Sequence, residues 1–289
     1  MSGTEGRTFL NLRLRLESLR VLKRKNVIFG LSILSIYIFL AIFGPWIAPY
    51  DPNGIVLSDS LTPPNLAHFF GTDLLGRDIF SRVIYGARTS LIIGVVVVTV
   101  ALSVGLLLGM TSGYFGGVVD DVIMRFVDIL MSFPGILLAI ALVSVLGPSL
   151  QNLLLAVAIS TIPDCTRVVR AACISVKENE YVEAARASGE SSLGVIVHYV
   201  LPNCMAPIIV TSTLRMATAI LSASALSFLG LGVQPPTAEW GADLSDGRDF
   251  LSTSPYVAIF PGLALFFLVM GLNVLGDGLR DALDVKLRV

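Results

Sequence analysis

Residues able to make or break bonds are few in this chain and poorly spaced for the task. It has two histidines, His68 and His198, and three cysteines, Cys165, Cys173 and Cys204. A metal centre needs three or four ligands at close spacing, and a redox pair needs a spacing such as C-x-x-C; the sequence has neither. It also lacks the G-x-x-x-x-G-K-[ST] phosphate loop, H-E-x-x-H and G-x-S-x-G, so this chain does not hydrolyse ATP itself and does not read as an enzyme acting alone. The cysteines read as small buried hydrophobes. What remains is the chemistry of charge. Glu178, Glu180, Glu183, Arg186 and Glu190 crowd one stretch, while Asp128, Asp164 and Arg215 stand in apolar surroundings. Such groups hold partners or ions.

The elements that must position these charges follow from composition. Of 289 residues, 54% are hydrophobic and only 14% charged, against roughly 25% charged in a soluble protein. That balance excludes a cytosolic enzyme, a secreted domain and a disordered regulator. Residues 26–50, 89–119, 129–163, 216–238 and 250–276 are uncharged throughout. A hydrocarbon core of about 30 Å takes roughly 20 helical residues to cross, and Gly147-Pro148-Ser149 divides the third run. The chain therefore reads as an all-α membrane protein with six transmembrane helices, near 27–48, 89–112, 122–146, 152–172, 204–230 and 255–276.

Basic residues orient the bundle. Arg7, Arg13, Arg15, Arg20, Lys23, Arg24, Lys25, Arg167, Arg170, Lys177, Arg186, Arg280, Lys286 and Arg288 all fall on one side of a six-span chain. Arg77, Arg82, Arg88 and Arg248 fall on the other. The positive-inside rule then places both termini in the cytoplasm. The first apolar run is too long for a signal-peptide core and reads as a retained anchor. Ahead of it, residues 9–25 interleave leucine with arginine, as an interfacial helix on anionic headgroups or a solvated basic tail would.

Three features carry the functional expectations. Residues 177–203, between spans four and five, form a water-exposed stretch in which Gly189 permits a turn between two short helices; this is either a rigid knob for a soluble partner or an ordinary interhelical loop. Arg215 lies about 17 Å into span five at 1.5 Å per residue, near the midplane, where a lone ion costs about 2.5–3.5 kcal/mol. It is expected to face the protein interior, paired with Asp164 or lining a translocation path; Asp128, Asn203 and Asn273 are further candidates. Gly105, Gly109 and Gly113 recur at four-residue spacing and invite close approach of another backbone, within this bundle or on a second subunit. The outer loops 51–88 and 233–254 either face a substrate-delivering protein or are simply solvated.

Glu183-Ala184-Ala185, then Gly189, then Tyr199-x-Leu201-Pro202 resembles the EAA loop, E-A-A-x3-G-x9-I-x-L-P, of binding-protein-dependent ABC importer permeases. Phe70-Gly71-Thr72-Asp73, Gly76-Arg77-Asp78, Gly113-Tyr114-Phe115-Gly116-Gly117, Leu226-Ser227-Phe228-Leu229-Gly230-Leu231-Gly232 and Glu239-Trp240-Gly241 are similar to segments of the dipeptide/oligopeptide/nickel permeases, C-type subunit. Departures are Tyr199 for isoleucine, Ala238 and Val285 for proline, and Asp243 for methionine. The resemblance implies a type I ABC importer permease fold in a bacterial cytoplasmic (inner) membrane. The N-terminal region is 1–87, the permease domain 88–277 with coupling loop 177–203, and the tail 278–289.

By the same resemblance, Glu183 bonds an ATPase subunit, Ala184 and Ala185 pack into its groove, Gly189 makes the turn, and Tyr199, Leu201 and Pro202 complete the motif. The implied partners are a homologous second permease, two ATP-binding subunits and an extracytoplasmic binding protein, besides membrane lipid; no nucleic acid is implied. No cofactor is expected on this chain, ATP and Mg being used by the ATPase subunits. Cargo in the family includes dipeptides, oligopeptides, glutathione, nickel and metal chelates, of which short peptides are favoured. A secondary transporter, a channel or a non-transporting scaffold are the competing classes.

Overall fold

The computed structural model describes residues 24–284; most of the basic stretch 9–25 and the end of the tail lie outside it. Five helices are long and apolar enough to cross a bilayer. They are α1 (Lys25–Ile47), α2 (Ile79–Phe115), α5 (Leu150–Lys177), α7 (Ser192–Phe228) and α9 (Tyr256–Asp284). Between α2 and α5 lie α3 (Gly117–Met131) and α4 (Gly135–Leu146), bent by 82° to each other, which taken together are long and apolar enough for a sixth span. Two short helices sit at opposite ends of the bundle: α6 (Glu180–Ala187) between α5 and α7, and α8 (Trp240–Gly247) between α7 and α9.

Three departures from the expected spans have local causes. Helix α2 begins ten residues early because Asp78 caps it, accepting from the Ser81 amide at 2.8 Å; at 37 residues it is about 55 Å long. The third span is a broken pair instead of one helix over 122–146. Pro134 cannot donate to the preceding turn and disfavours helical backbone at Phe133. The fifth span is not separated from the apolar segment before it. Ser191 caps the start, accepting from the Gly194 amide at 3.1 Å, and the helix widens to a π segment over Ile196–Val200. That wider turn immediately precedes Leu201-Pro202 and carries the helix past a proline that would otherwise break it.

The helices close on one another where side chains are small. A Cβ at Gly105 would lie 2.7 Å from Cys165 Cβ, one at Gly109 would lie 2.7 Å from both the Thr166 carbonyl and Val169 Cβ, and one at Gly113 would lie 2.8 Å from Cys173 Cβ. The glycine seam of α2 is therefore occupied by α5 of the same chain. Gly117, with φ +53° and open space around it, serves the turn into α3. On the other side of the bundle Tyr37 of α1 donates to the Ala264 carbonyl of α9 at 2.8 Å, beside a core of Leu91, Trp240, Leu268 and Leu272.

The end of the bundle bearing α8 is locked by charge. Arg77 and Arg82, read from sequence as loop cations, are each 4% exposed. Arg77 Nε meets Asp73 Oδ2 at 2.5 Å and its Nη2 meets Asp246 at 3.0 Å. Arg82 Nε bonds Asp243 Oδ1 at 2.9 Å, and its Nη1 bonds the Pro52 carbonyl at 3.0 Å. Burial pushes the Asp243 carboxyl up to about 6, against the pull of Arg82. The loop holding the Gly-Thr-Asp and Gly-Arg-Asp segments is thus pinned to the 233–254 connection.

Substituting Gly109 by leucine should force α2 and α5 apart, at a cost of roughly 1–3 kcal/mol or more. The expected result is a lower melting temperature and loss of a monodisperse peak in detergent. Gly135→Ala, whose new Cβ meets nothing closer than 3.9 Å, should leave both unchanged.

Candidate functional site: the loop at 177–203 and the charges at bilayer depth

The loop is a built structure. Asn179 starts α6, its carbonyl accepting from Val182 at 2.9 Å while its amide group ties back to Val176 at 2.8 Å. Glu180 and Glu183 stand in the first turn and Arg186 in the last, each matching the helix dipole. The helix ends in a Schellman motif: the Gly189 amide bonds the Arg186 carbonyl at 3.0 Å and the Glu190 amide bonds the Ala185 carbonyl at 3.2 Å. Gly189 sits at φ +83°, where a side chain is strained.

Helical spacing decides which way the motif residues face. Val182 and Ala185, three apart, are buried in a cluster with Met110, Tyr114, Cys173, Val195, Val200 and Cys204. Tyr181, Glu183 and Ala184 lie on the exposed face. The two alanines therefore part company: Ala184 is free to meet a partner, whereas Ala185 is spent on this chain's own packing. Tyr199 and Leu201 pack partly against the same cluster, so the tyrosine keeps an apolar contact. Pro202 is exposed. Asn203, also exposed, donates to the Tyr199 carbonyl at 2.7 Å, a local bond within its own helix.

Two cations that sequence read only as part of the basic side of the chain fasten the loop. Lys177 Nζ donates to the carbonyls of Gly113 at 2.8 Å and Tyr114 at 3.4 Å. Arg186 lies 4.7 Å from the centre of the Tyr114 ring. The signal was available in part, since Lys177 ends α5 and Tyr114 stands in the Gly113–Gly117 turn. Their meeting, 63 residues apart in sequence, could not be read.

At bilayer depth, Arg215 Nη1 meets Asp164 Oδ2 at 2.8 Å, the side chains 33% and 34% exposed. The two charges are paired, and about two-thirds of each side chain is covered by this chain. Asp128 does not join it; it pairs with Arg167 at 2.6 Å. One turn further along, Arg170 Nε holds Asp120 at 2.6 Å. Helix α5 thus carries Asp164, Arg167 and Arg170 at three-residue spacing, tied to α7 once and to α3 twice. Asn273 lies elsewhere, in a 530 Å³ groove with Leu221, Phe266, Met270 and Asp277. Among the described residues no group of three or more His, Cys, Asp and Glu side chains is placed to hold a metal.

A bundle of apolar spans with an anchored amphipathic helix at one end is the architecture of a multi-pass membrane protein. Residues 105–289 match the family described as binding-protein-dependent transport system inner membrane component, and residues 18–64 match the N-terminal TM domain of oligopeptide transport permease C. The chain belongs to this family of ABC importer permeases, non-catalytic subunits of the inner membrane. It is 49% identical to the dipeptide transport system permease protein DppC of Alkalihalophilus pseudofirmus over 92% of this chain and 88% of the relative. It is 48% identical to the glutathione transport system permease protein GsiD of Escherichia coli, over 87% and 83%. Among solved structures, the inward-facing MetNI methionine ABC transporter shares the fold, with TM-score 0.57 at 18% identity over 71% of this chain and 97% of that one. An amino acid ABC transporter aligns with TM-score 0.55 at 14% identity, over 73% and 95%.

Arg215→Met should strand Asp164 without a partner, costing up to about 3 kcal/mol less whatever water reaches the site. Asp164→Met should cost a similar amount. The double variant, which removes both charges, should melt closer to wild type than either single one in lipid nanodiscs. Equal melting of all four would show that the pair contributes nothing.

Proposed function

We propose that this chain is one of two homologous permease subunits in an ATP-driven importer of short peptides, coupled to two separate ATPase subunits through α6. The observation that carries this reading is the division of labour on α6. One face is buried in the bundle by Val182 and Ala185, and the opposite face presents Glu183 and Ala184 to a soluble partner. ATP and Mg are used on the partner subunits, whose closure displaces α6 and shifts the pathway between outward and inward access. An extracytoplasmic binding protein delivers cargo to the end of the bundle bearing α8.

Cargo follows from the relatives. Those named for dipeptides at 49% and for di- and tripeptides at 46% identity support short peptides. Glutathione, the cargo named for a relative at 48%, is the second reading, being itself a short γ-linked peptide. The face bearing the Arg215–Asp164 and Arg167–Asp128 pairs is assigned to the translocation path, because a partly exposed ion pair toward lipid tails is costly. Both termini and the 177–203 loop are placed in the cytoplasm.

Glu183→Arg and Gly189→Pro should each abolish ATP-dependent uptake of labelled dipeptide by the reconstituted complex while leaving this subunit inserted. Uptake unaffected by both would favour a secondary transporter or channel. Orientation has an independent check. In a cysteine-free background, Leu66→Cys (94% exposed in wild type) should react with a membrane-impermeant maleimide on intact cells, and Leu193→Cys (72%) only after lysis.

A further inference from the structure

Coupling through α6, the reading on which this inference rests, leaves open which helix carries its displacement across the membrane. α5 and α7 are joined to α6 covalently, so they move with it in any case. Both contain proline: Pro163 in α5, and Pro202 and Pro207 in α7. α1 and α9 contain Pro45 and Pro261, and α3 and α4 meet at Pro134. Prolines remove a backbone bond and are where helices bend. Among the described spanning helices α2 alone has none.

α2 is also the helix gripped at both ends. At its C-terminal turn the carbonyls of Gly113 and Tyr114 lie beyond the last intrahelical donors and carry the negative end of the dipole. Lys177 Nζ sits on both, at 2.8 Å and 3.4 Å. Arg186 of α6 stands 4.7 Å from the Tyr114 ring, an arrangement in which the cation is drawn to the ring face. Phe115 abuts that ring edge-on at 5.2 Å. Beneath it, Val182 and Ala185 share a core with Met110 and Tyr114.

At the other end of α2, Arg82 is tied to Asp243 at 2.9 Å, and the Trp240 indole donates to the Val83 carbonyl at 3.1 Å. Gly86 leaves room for that indole, since a Cβ there would lie 2.4 Å from Trp240 Nε1. Between the two ends the Gly105–Gly109–Gly113 seam is closed by α5, which limits the bending that glycines would otherwise allow.

We propose that α2 is the rod that carries displacement of α6 to the opposite end of the bundle, with Arg186 as the positioning residue that clamps α6 to it and Lys177, at the end of α5, holding the same turn of α2. Pushing α6 then shifts the Tyr114 turn, and through an unbroken helix shifts the Arg82–Asp243 and Trp240 contacts that hold the 233–254 connection. The clamp does not contact ATP or cargo. Its loss lets α6 move with the ATPases while α2 stays behind.

The test uses the complete transporter in proteoliposomes, measuring ATP hydrolysed and peptide taken up in the same vesicles. Arg186→Gln should leave assembly and ATP hydrolysis within about twofold of wild type and lower uptake per ATP roughly fivefold or more. Arg186→Lys, which keeps a cation over Tyr114, should hold uptake per ATP within about twofold of wild type. Tyr114→Leu should match Arg186→Gln; if that buried change prevents folding, the glutamine and lysine variants still decide the matter. Unchanged uptake per ATP in Arg186→Gln overturns the clamp, as does a proportional fall of hydrolysis and uptake, which is what a mere seating defect gives. Glu183→Arg separates the two levels. If it abolishes uptake while Arg186→Gln does not change uptake per ATP, coupling through α6 stands and the clamp falls; if Glu183→Arg changes neither measurement, the coupling role itself falls.

Discussion

Hydrocarbon offers no partner to a charge or to a peptide group, and every unusual feature of this chain is a response to that. Spanning segments are helical because only then does each backbone bond close within the segment. The three charges that α5 carries into the bundle come in pairs. Asp164, Arg167 and Arg170 stand one turn apart along α5, and each has an opposite charge from α7 or α3 within 2.8 Å. The result is a strip of cancelled charge on one side of the molecule, on helices that elsewhere could be taken for lipid-facing.

The same constraint drives the remaining charges to the two ends, where they do different work. At the α8 end several of them are buried. Arg77 and Arg82 are enclosed by Asp73, Asp243 and Asp246, which fixes two long connections to each other. Breaking such a pair is expensive because one charge is left behind in a dry site. At the α6 end cations instead meet carbonyls and an aromatic face, through Lys177 and Arg186. These contacts hold a small helix by its inner side and leave its acidic outer side uncommitted. A helix of eight residues is too short to be stable alone, so its orientation depends on this attachment.

Close packing and rigidity also come from one arrangement. The glycines of α2 bring its backbone against α5, and the absence of proline keeps it continuous over 37 residues. The other long spanning helices each contain proline, and α3 and α4 meet at a sharp break over residues 132–134.

Apolar runs of about 20 residues determined a helical membrane protein, because burial in lipid demands them wherever they occur. Glu183, Gly189 and Pro202 at their spacing were enough to point to the family, and Gly189 to the turn it makes, since local geometry depends on local sequence. The bend at Pro134, the fusion of the 193–201 segment with span five and the early start of α2 were not legible. Each is set by a proline, a cap or a widened turn, which moves a helix end or break independently of the apolar run. Nor could sequence separate Ala184 from Ala185, or show that the loop arginines 77 and 82 are buried. Those outcomes rest on contacts between residues tens to hundreds of positions apart, such as Arg82 with Asp243 and Lys177 with Gly113. Charge pairing at such range is decided only when the helices pack, because a partner's distance in space is not encoded by its distance along the chain.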